Sequence, residues 1–218
     1  MTIELGVIRV LTQDSHEKTA LHGRWIEQHY PSIKTTSDCI PEHPNGIPDA
    51  ETETEAIPYI IDLAQDLSED VDAIAISCAA DPAVDSLQDD LSIPVIGAGE
   101  CVARASANLG SNVGTLSLEG GTMSNIEETL GGYHHSAQNV DGAETTNYLT
   151  TDEGREAVRA AATSLVDGGC DVIAPVCTGM TTAGVLPSLN DSLVVPVLDP
   201  VLAMASTAVM LSYGPTEE

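Results

Sequence analysis

The chain has 218 residues, 42% of them hydrophobic, enough to bury a substantial core as one domain or two compact lobes. Its 34 acidic against 7 basic residues give a formal net charge of −27, which argues against nucleic acid as a partner. No apolar run reaches the roughly 18 residues that span a bilayer, and the amino terminus lacks the basic and apolar regions of a secretion signal, so a soluble, cytoplasmic protein with no membrane partner is expected.

Ile3 to Val10 reads as a first strand. Thr12, Gln13, Asp14 and Ser15 then form a polar turn with cap candidates for a helix from about His16 to His29, closed by Pro31. Ile33 to Thr36 is a brief second strand. Ile40 to Asp49 holds three prolines and a glycine, an extended loop of a kind that borders sites. Glu51 to Leu67 alternates acidic and apolar positions at helical spacing, with Pro58 as an interruption. Asp72 to Cys78 is the third strand, Pro82 to Leu91 a short helix, and Ile93 to Ile96 the fourth strand. Glu100 to Leu109 opens the second half as an alanine-rich helix. Val113 to Leu118 is a strand, Glu119 to Ser124 a glycine-containing turn, and Asn125 to Leu130 a helix ended by Gly131 and Gly132. Val140 starts a short edge strand. Thr151 to Gly168 is a helix capped by Thr151 or Asp152, Val172 to Val176 a strand, and Thr181 to Leu189 a helix. Val194 to Leu198 is the last strand and Pro200 to Ser212 a final apolar helix. Strands alternating with helices at this spacing make parallel sheets, so the fold class is α/β.

The chain also repeats itself. DAIAISCAAD (Asp72 to Asp81) and DVIAPVCTGM (Asp171 to Met180) each open on an aspartate and carry a cysteine six positions later, where the apolar run ends. Downstream, SIPVIGAGE (Ser92 to Glu100) answers VVPVLDPV (Val194 to Val201); upstream, LGVIRVLT (Leu5 to Thr12) answers NVGTLSLEGGT (Asn112 to Thr122). This duplication divides the chain into a first lobe over 1–100 and a second over 101–200. Continuous apolar runs are the pattern of strands buried on both faces, and ligands of open α/β sheets bind at the carboxyl ends of such strands. Two similar lobes facing each other would bring Cys78 and Cys177 to opposite walls of one cleft.

Cysteine is among the most buried residue types, and core filling is the reading for Cys39, Cys101 and Cys170. Cys78 and Cys177 differ because both hold the same topological position. Each precedes a helix, whose amino-terminal dipole is expected to lower the thiol pKa. Two thiols on either side of a substrate suit inversion of a carbon acid: one removes a proton and the other returns one to the opposite face, with no cofactor. Backbone N–H groups in the turns after the strands would stabilise the enolate oxygen.

The pairing of CAADP (Cys78 to Pro82) and IPVIGAGE with CTGM (Cys177 to Met180) and VPVLDPV resembles the aspartate/glutamate/hydantoin racemase superfamily over essentially the whole chain. The resemblance implies two doubly wound lobes related by a pseudo-two-fold axis, with the terminal helix 201–218 returning to the first. It also implies that Cys78 and Cys177 are the acid/base thiols. Around them, the candidate substrate-binding positions are Thr12, Ala79 and Ala80 in the first lobe. In the second they are Gly120, Gly121, Thr122, Thr178 and Gly179. Glutamate racemases place Asn–Thr after the first cysteine and Thr–His after the second. Here Ala79–Ala80 and Thr178–Gly179 stand instead, and the CxxDP and CxGM patterns resemble the hydantoin and allantoin racemase branch. That branch carries an Asn-Pro-Asn-Thr turn after its first strand, whereas this chain has Arg9-Val10-Leu11-Thr12, so only Thr12 matches. A hydantoin-like carbon acid is thus the expected small-molecule substrate, with an amino acid or a non-catalytic binding role as the alternatives, and a homo-oligomer is the expected assembly.

No cofactor and no metal are expected. GAGEC (Gly97 to Cys101) lacks the third glycine of a dinucleotide fingerprint, Val102 standing in its place. The six histidines never pair with cysteines at zinc spacing, although His43 lies in the long loop. Ser77 has no nucleophile-elbow motif around it. Glu100 and Asp199 end the strands beside the cysteine strands and read more readily as structural. Five cysteines without dense spacing suit a reducing compartment. The acidic residues are dispersed between apolar segments, lysine occurs only as Lys18 and Lys34, and Phe is absent. That combination reads as adaptation to molar intracellular salt, which screens self-repulsion.

Overall fold

In the computed structural model, which describes residues 2–120 and 124–213, the apolar runs become parallel strands and the amphipathic stretches become helices. The chain divides into two compact units, one made of residues 1–98 with the carboxyl-terminal helix from 201 onward, the other of residues 99–200.

The first unit opens with β1 (Ile3–Arg9), apolar along nearly its whole length and buried except at Glu4. Ser15 caps α1 (His16–Thr19) by accepting the Lys18 N–H, and α2 (Leu21–His29) follows. β2 (Ile33–Cys39) lies at the sheet edge, and the long loop after it ends at Asp49. The Asp49 carboxylate and the Thr52 hydroxyl form a reciprocal capping box for α3 (Ala50–Ser68), which runs on through Pro58. β3 (Ala73–Ser77) is wholly buried, α4 (Val84–Asp90) follows a turn, and β4 (Val95–Gly97) leads into α5 (Ala98–Leu109). The strand order is β2-β1-β3-β4, all parallel. Ile8, Val10, Ile40, Ile60, Ile74 and Ile76 join Leu87 and Val95 in one aliphatic core.

The second unit repeats this plan with β5 (Val113–Ser117) at its centre, then α6 (Ser124–Leu130) and the edge strand β6 (His134–Asn139). A 3-10 turn over Thr146–Thr150 precedes α7 (Asp152–Asp167), whose cap is Thr151, accepting from the Gly154 N–H. β7 (Val172–Pro175) leads to α8 (Gly179–Thr182) and α9 (Leu186–Ser192). The order is β6-β5-β7, parallel throughout, and Val197 adds an isolated parallel bridge to Ile173 where the first unit has its fourth strand. Leu116, Val140, Leu149, Val158, Ile173 and Leu189 anchor its core. The last helix, α10 (Pro200–Val209), starts at the unit boundary and continues into a 3-10 turn. No helix among the described residues is long and apolar enough to cross a membrane.

Several sequence expectations are corrected. The strand expected from Val140 ends just before it: β6 is the polar run HHSAQN, formed by pairing with β5, and Val140 is a fully buried anchor. The second strand extends to Cys39, because pairing with β1 carries its polar half. Val194 to Leu198 yields only the Val197 bridge; Pro196 has no N–H to donate and Val194 is 90% exposed. The helix expected over His16 to His29 breaks at Ala20. That over Thr181 to Leu189 is two short helices parted at Gly184, where φ is +66°.

Candidate active site

In the first unit, pairing sets Arg9, Cys39 and Ser77 at one level at the carboxyl edge of three adjacent strands. Cys78 is the next residue after β3. It is half-buried against the core that holds Ile40 and Ile76. The turn beyond it is tight: the Asp81 N–H donates to the Cys78 carbonyl and the Val84 N–H to the Asp81 carbonyl, each at 3.2 Å. Asp81 and Ala83 both sit at positive φ, 53° and 62°, where a side chain costs roughly 1 kcal/mol or more. The Asp81 carboxylate also lies over the end of β4. A Cβ at Gly97 would fall 2.5 Å from its Oδ1, so glycine is required for that approach. Ala79 is buried and Ala80 half-buried in this turn.

Thr12 stands three residues past β1 as a staple. Its hydroxyl donates to the Ile40 carbonyl at 2.8 Å and accepts the His43 N–H at 2.7 Å, tying the first turn to the long loop. His43 itself is buried, with Nδ1 donating to the Pro41 carbonyl at 2.8 Å and its ring edge-on to Tyr59. Ser77 pairs with the fully buried His22 at 2.7 Å. Burial, and then the Arg9 charge, hold that imidazole well below its ordinary pKa, so it is neutral. Arg9 is itself buried, which lowers it to about 10 despite the opposing field of Cys39. The sheet face under α1 and α2 thus carries a polar row that belongs to packing, while Cys78 is on the residue of opposite parity.

In the second unit, Cys177 lies two residues past β7 and is 9% exposed. Burial pushes its thiol up; the Gly179 N–H, the Thr146 hydroxyl and the Met180 N–H pull the other way, in that order, without offsetting it. For Cys177 this corrects the expectation of a thiol lowered by a helix dipole. α8 is a single turn, too short for a developed dipole, and Cys78 is separated from α4 by five residues, 79–83. The Thr146 Oγ1 is 4.0 Å from the Cys177 sulfur. Thr178 and Gly179 are buried in the same turn. Thr181 donates to Asp199 Oδ1 at 2.9 Å, which latches the turn to the chain past Val197. Glu100 instead accepts from its helical neighbour Arg104 at 2.8 Å, an exposed pair.

Each unit therefore gathers its candidates at one sheet edge: Thr12, Cys78, Ala79 and Ala80 in the first; Cys177, Thr178 and Gly179 in the second. Gly120 lies three residues past β5, exposed and at φ +122°, while Gly121 and Thr122 lie outside the described residues. Thr146 was missed by sequence reasoning. The available signal was its place after β6, matching the long loop after β2, together with the glycine two residues beyond Cys177. Among the described residues, no group of three His, Cys, Asp or Glu side chains could hold a metal ion.

A parallel α/β unit with a thiol just past the strand beside its central strand, present twice in one chain, defines the class of protein. The chain belongs to the Asp/Glu/Hydantoin racemase family, whose profile it matches over residues 17–208. Among solved structures it is similar to an allantoin racemase from Klebsiella pneumoniae (TM-score 0.84, 20% identity, covering 100% of this chain and 95% of that one). An allantoin racemase from Pseudomonas fluorescens gives 0.78 and 21%, covering 96% and 91%. A glutamate racemase from Bacillus anthracis gives 0.69 and 16%, covering 98% and 83%. No curated protein sequence matches the chain significantly.

Proposed function

We propose that the protein is a cofactor-independent racemase that inverts a hydantoin-like carbon acid with Cys78 and Cys177. The observation that carries this reading is the equivalence of the two thiols. Each follows the strand paired with its unit's central strand, β3 beside β1 and β7 beside β5. The substrate class rests on the turns that follow: Ala79, Ala80, Thr178 and Gly179 carry no charged side chain for an amino-acid zwitterion. A cyclic ureide needs none, and its ring C–H is more acidic than an amino-acid α-proton. The similarity to two allantoin racemases points the same way.

Burial favours the protonated form of Cys177, which suits it as the acid for one enantiomer. Cys78, as thiolate, takes the substrate C–H proton and becomes a thiol; the electron pair passes to the carbonyl oxygen as an enolate. Cys177 then gives its S–H proton to the opposite face of the carbon and is left as a thiolate. The reverse reaction exchanges the two roles, and the general acid and the general base each supply about 10²–10⁴-fold.

Proton NMR and polarimetry in D₂O at high KCl test this with single enantiomers of allantoin, substituted hydantoins, aspartate and glutamate. The expected result is loss of the C–H signal together with optical rotation on a cyclic ureide. Racemisation should fall at least about 10³-fold in both Cys78→Ser and Cys177→Ser. Turnover surviving in either variant would refute the two-thiol mechanism. Exchange confined to aspartate or glutamate would move the substrate to amino acids, and a folded protein inert on every compound would replace catalysis with binding.

A further inference from the structure

We propose that Thr146 is a catalytic residue, the hydrogen-bond donor that receives the negative charge of the Cys177 sulfur once its proton has left. The inference deepens the two-thiol reading and rests on it. Three observations of the second unit support it. The Thr146 Oγ1 lies 4.0 Å from the Cys177 sulfur, within hydrogen-bond reach for so large an acceptor. The position is built: a Cβ at Gly179 would collide with the Thr146 methyl and fall 3.2 Å from the Cys177 sulfur, so Gly179 leaves room for both. Leu149, fully buried in the same 3-10 turn, also borders that space, 3.3 Å from the same point. With the methyl seated against Gly179, the threonine rotamer is fixed by packing and its hydroxyl is aimed at the sulfur.

A buried thiolate is costly unless donors meet it. Cys177 needs such donors only in the half of the cycle when it has given up its proton, because the neutral thiol asks for none. A hydroxyl suits this role: its rotor can turn to donate to S⁻ and turn away from S–H, while the Gly179 and Met180 N–H groups are fixed. Thr146 belongs to the turn after β6, so the donor comes from a different element than the thiol it serves.

Carbon-13 NMR of protein labelled at the cysteine β-carbon reads the donor without turnover. The Cys177 resonance is assigned by its absence in Cys177→Ser and followed with pH in wild type, Thr146→Val and Thr146→Ser. Valine keeps the methyl that fills the space and removes the hydroxyl; serine does the reverse. The expected result is a midpoint about one pH unit higher in Thr146→Val, a tenfold change in the thiolate-to-thiol ratio, with Thr146→Ser within about 0.3 unit of wild type. Coincidence of Thr146→Val with wild type would overturn the proposal, as would an equal shift in both variants, which would mark packing alone. A wild-type thiol that stays protonated to about pH 11 would overturn it too. Failure of racemisation on every substrate bears on the racemase reading, not on these midpoints.

Discussion

At the scale of single residues, the aspartates that open the two cysteine strands have a clear task. Asp72 Oδ2 accepts the Glu4 N–H at 2.9 Å, and Asp171 accepts the N–H groups of Ser111 and Asn112 at 3.1 and 2.9 Å. Both clamp the start of the neighbouring central strand: Glu4 is the second residue of β1, and Ser111 and Asn112 directly precede β5. The Asn112 N–H, and then that of Ser111, hold the Asp171 carboxyl below its ordinary pKa of 3.8. The folded state therefore binds fewer protons at this site than the unfolded chain. Its contribution is whole above the unfolded value and is lost as the pH falls through and below it. Asp171→Asn should accordingly be less stable than wild type at pH 7, with the gap in urea midpoint shrinking as the pH is lowered from about 5 towards 3. A gap of constant size across that range would show that charge plays no part in the clamp.

At the scale of elements, α3 shows how packing overrules a local breaker. Pro58 stands at the ninth position of a 19-residue helix, far beyond the first turn where proline is tolerated. The helix persists because Ala56, Ile60 and Ala64 bury one face of it on the sheet, with a capping box at its start. Pro58 itself is exposed, so Pro58→Ala restores an N–H without disturbing the core. It should raise stability by about 1–3 kcal/mol, read as a higher urea midpoint at unchanged slope; an unchanged midpoint would mean that the helix holds proline at this position without cost. The same contrast explains what the sequence made legible. β3 and β7 are buried along their whole length and show as apolar runs, which also placed Cys78 and Cys177 at strand ends. β2 and β6 bury one face at a sheet edge and hold their place by backbone pairing, so KTTSDC and HHSAQN carried little or no strand signal. Thr146 and the Asp81 approach to Gly97 were harder to read for a different reason: each is a contact between separate elements, and the repeat of the long loop pointed only to the region that holds Thr146.

At the scale of the whole molecule, the dominant feature is uncompensated negative charge. The basic residues are mostly spent on local exposed pairs, Lys18 with Asp14, Arg104 with Glu100, Arg155 with Asp152 and Arg159 with Glu156. Such pairs are worth little, about 0–1 kcal/mol each, and the net −27 is what remains after every lysine and arginine has been counted. The outer face of α3 shows the consequence: Glu51, Glu55, Asp62 and Asp66 are exposed and recur at helical spacing, so that like charges stand four residues apart in two pairs. Repulsion of this kind acts over the Debye length, about 30 Å at 0.01 M salt and about 3 Å at 1 M. Thermal unfolding should therefore rise steeply with KCl, by about 10 °C between those limits if screening returns a few kcal/mol. Salting-out of apolar surface would also raise the midpoint, and a variant separates the two causes. With Glu51→Gln, Glu55→Gln, Asp62→Asn and Asp66→Asn combined, the protein should melt higher than wild type in dilute buffer and converge with it at molar KCl. Parallel curves, offset by the same amount at every salt concentration, would mean that salt acts on the core and that the acidic surface is not what makes this fold depend on its medium.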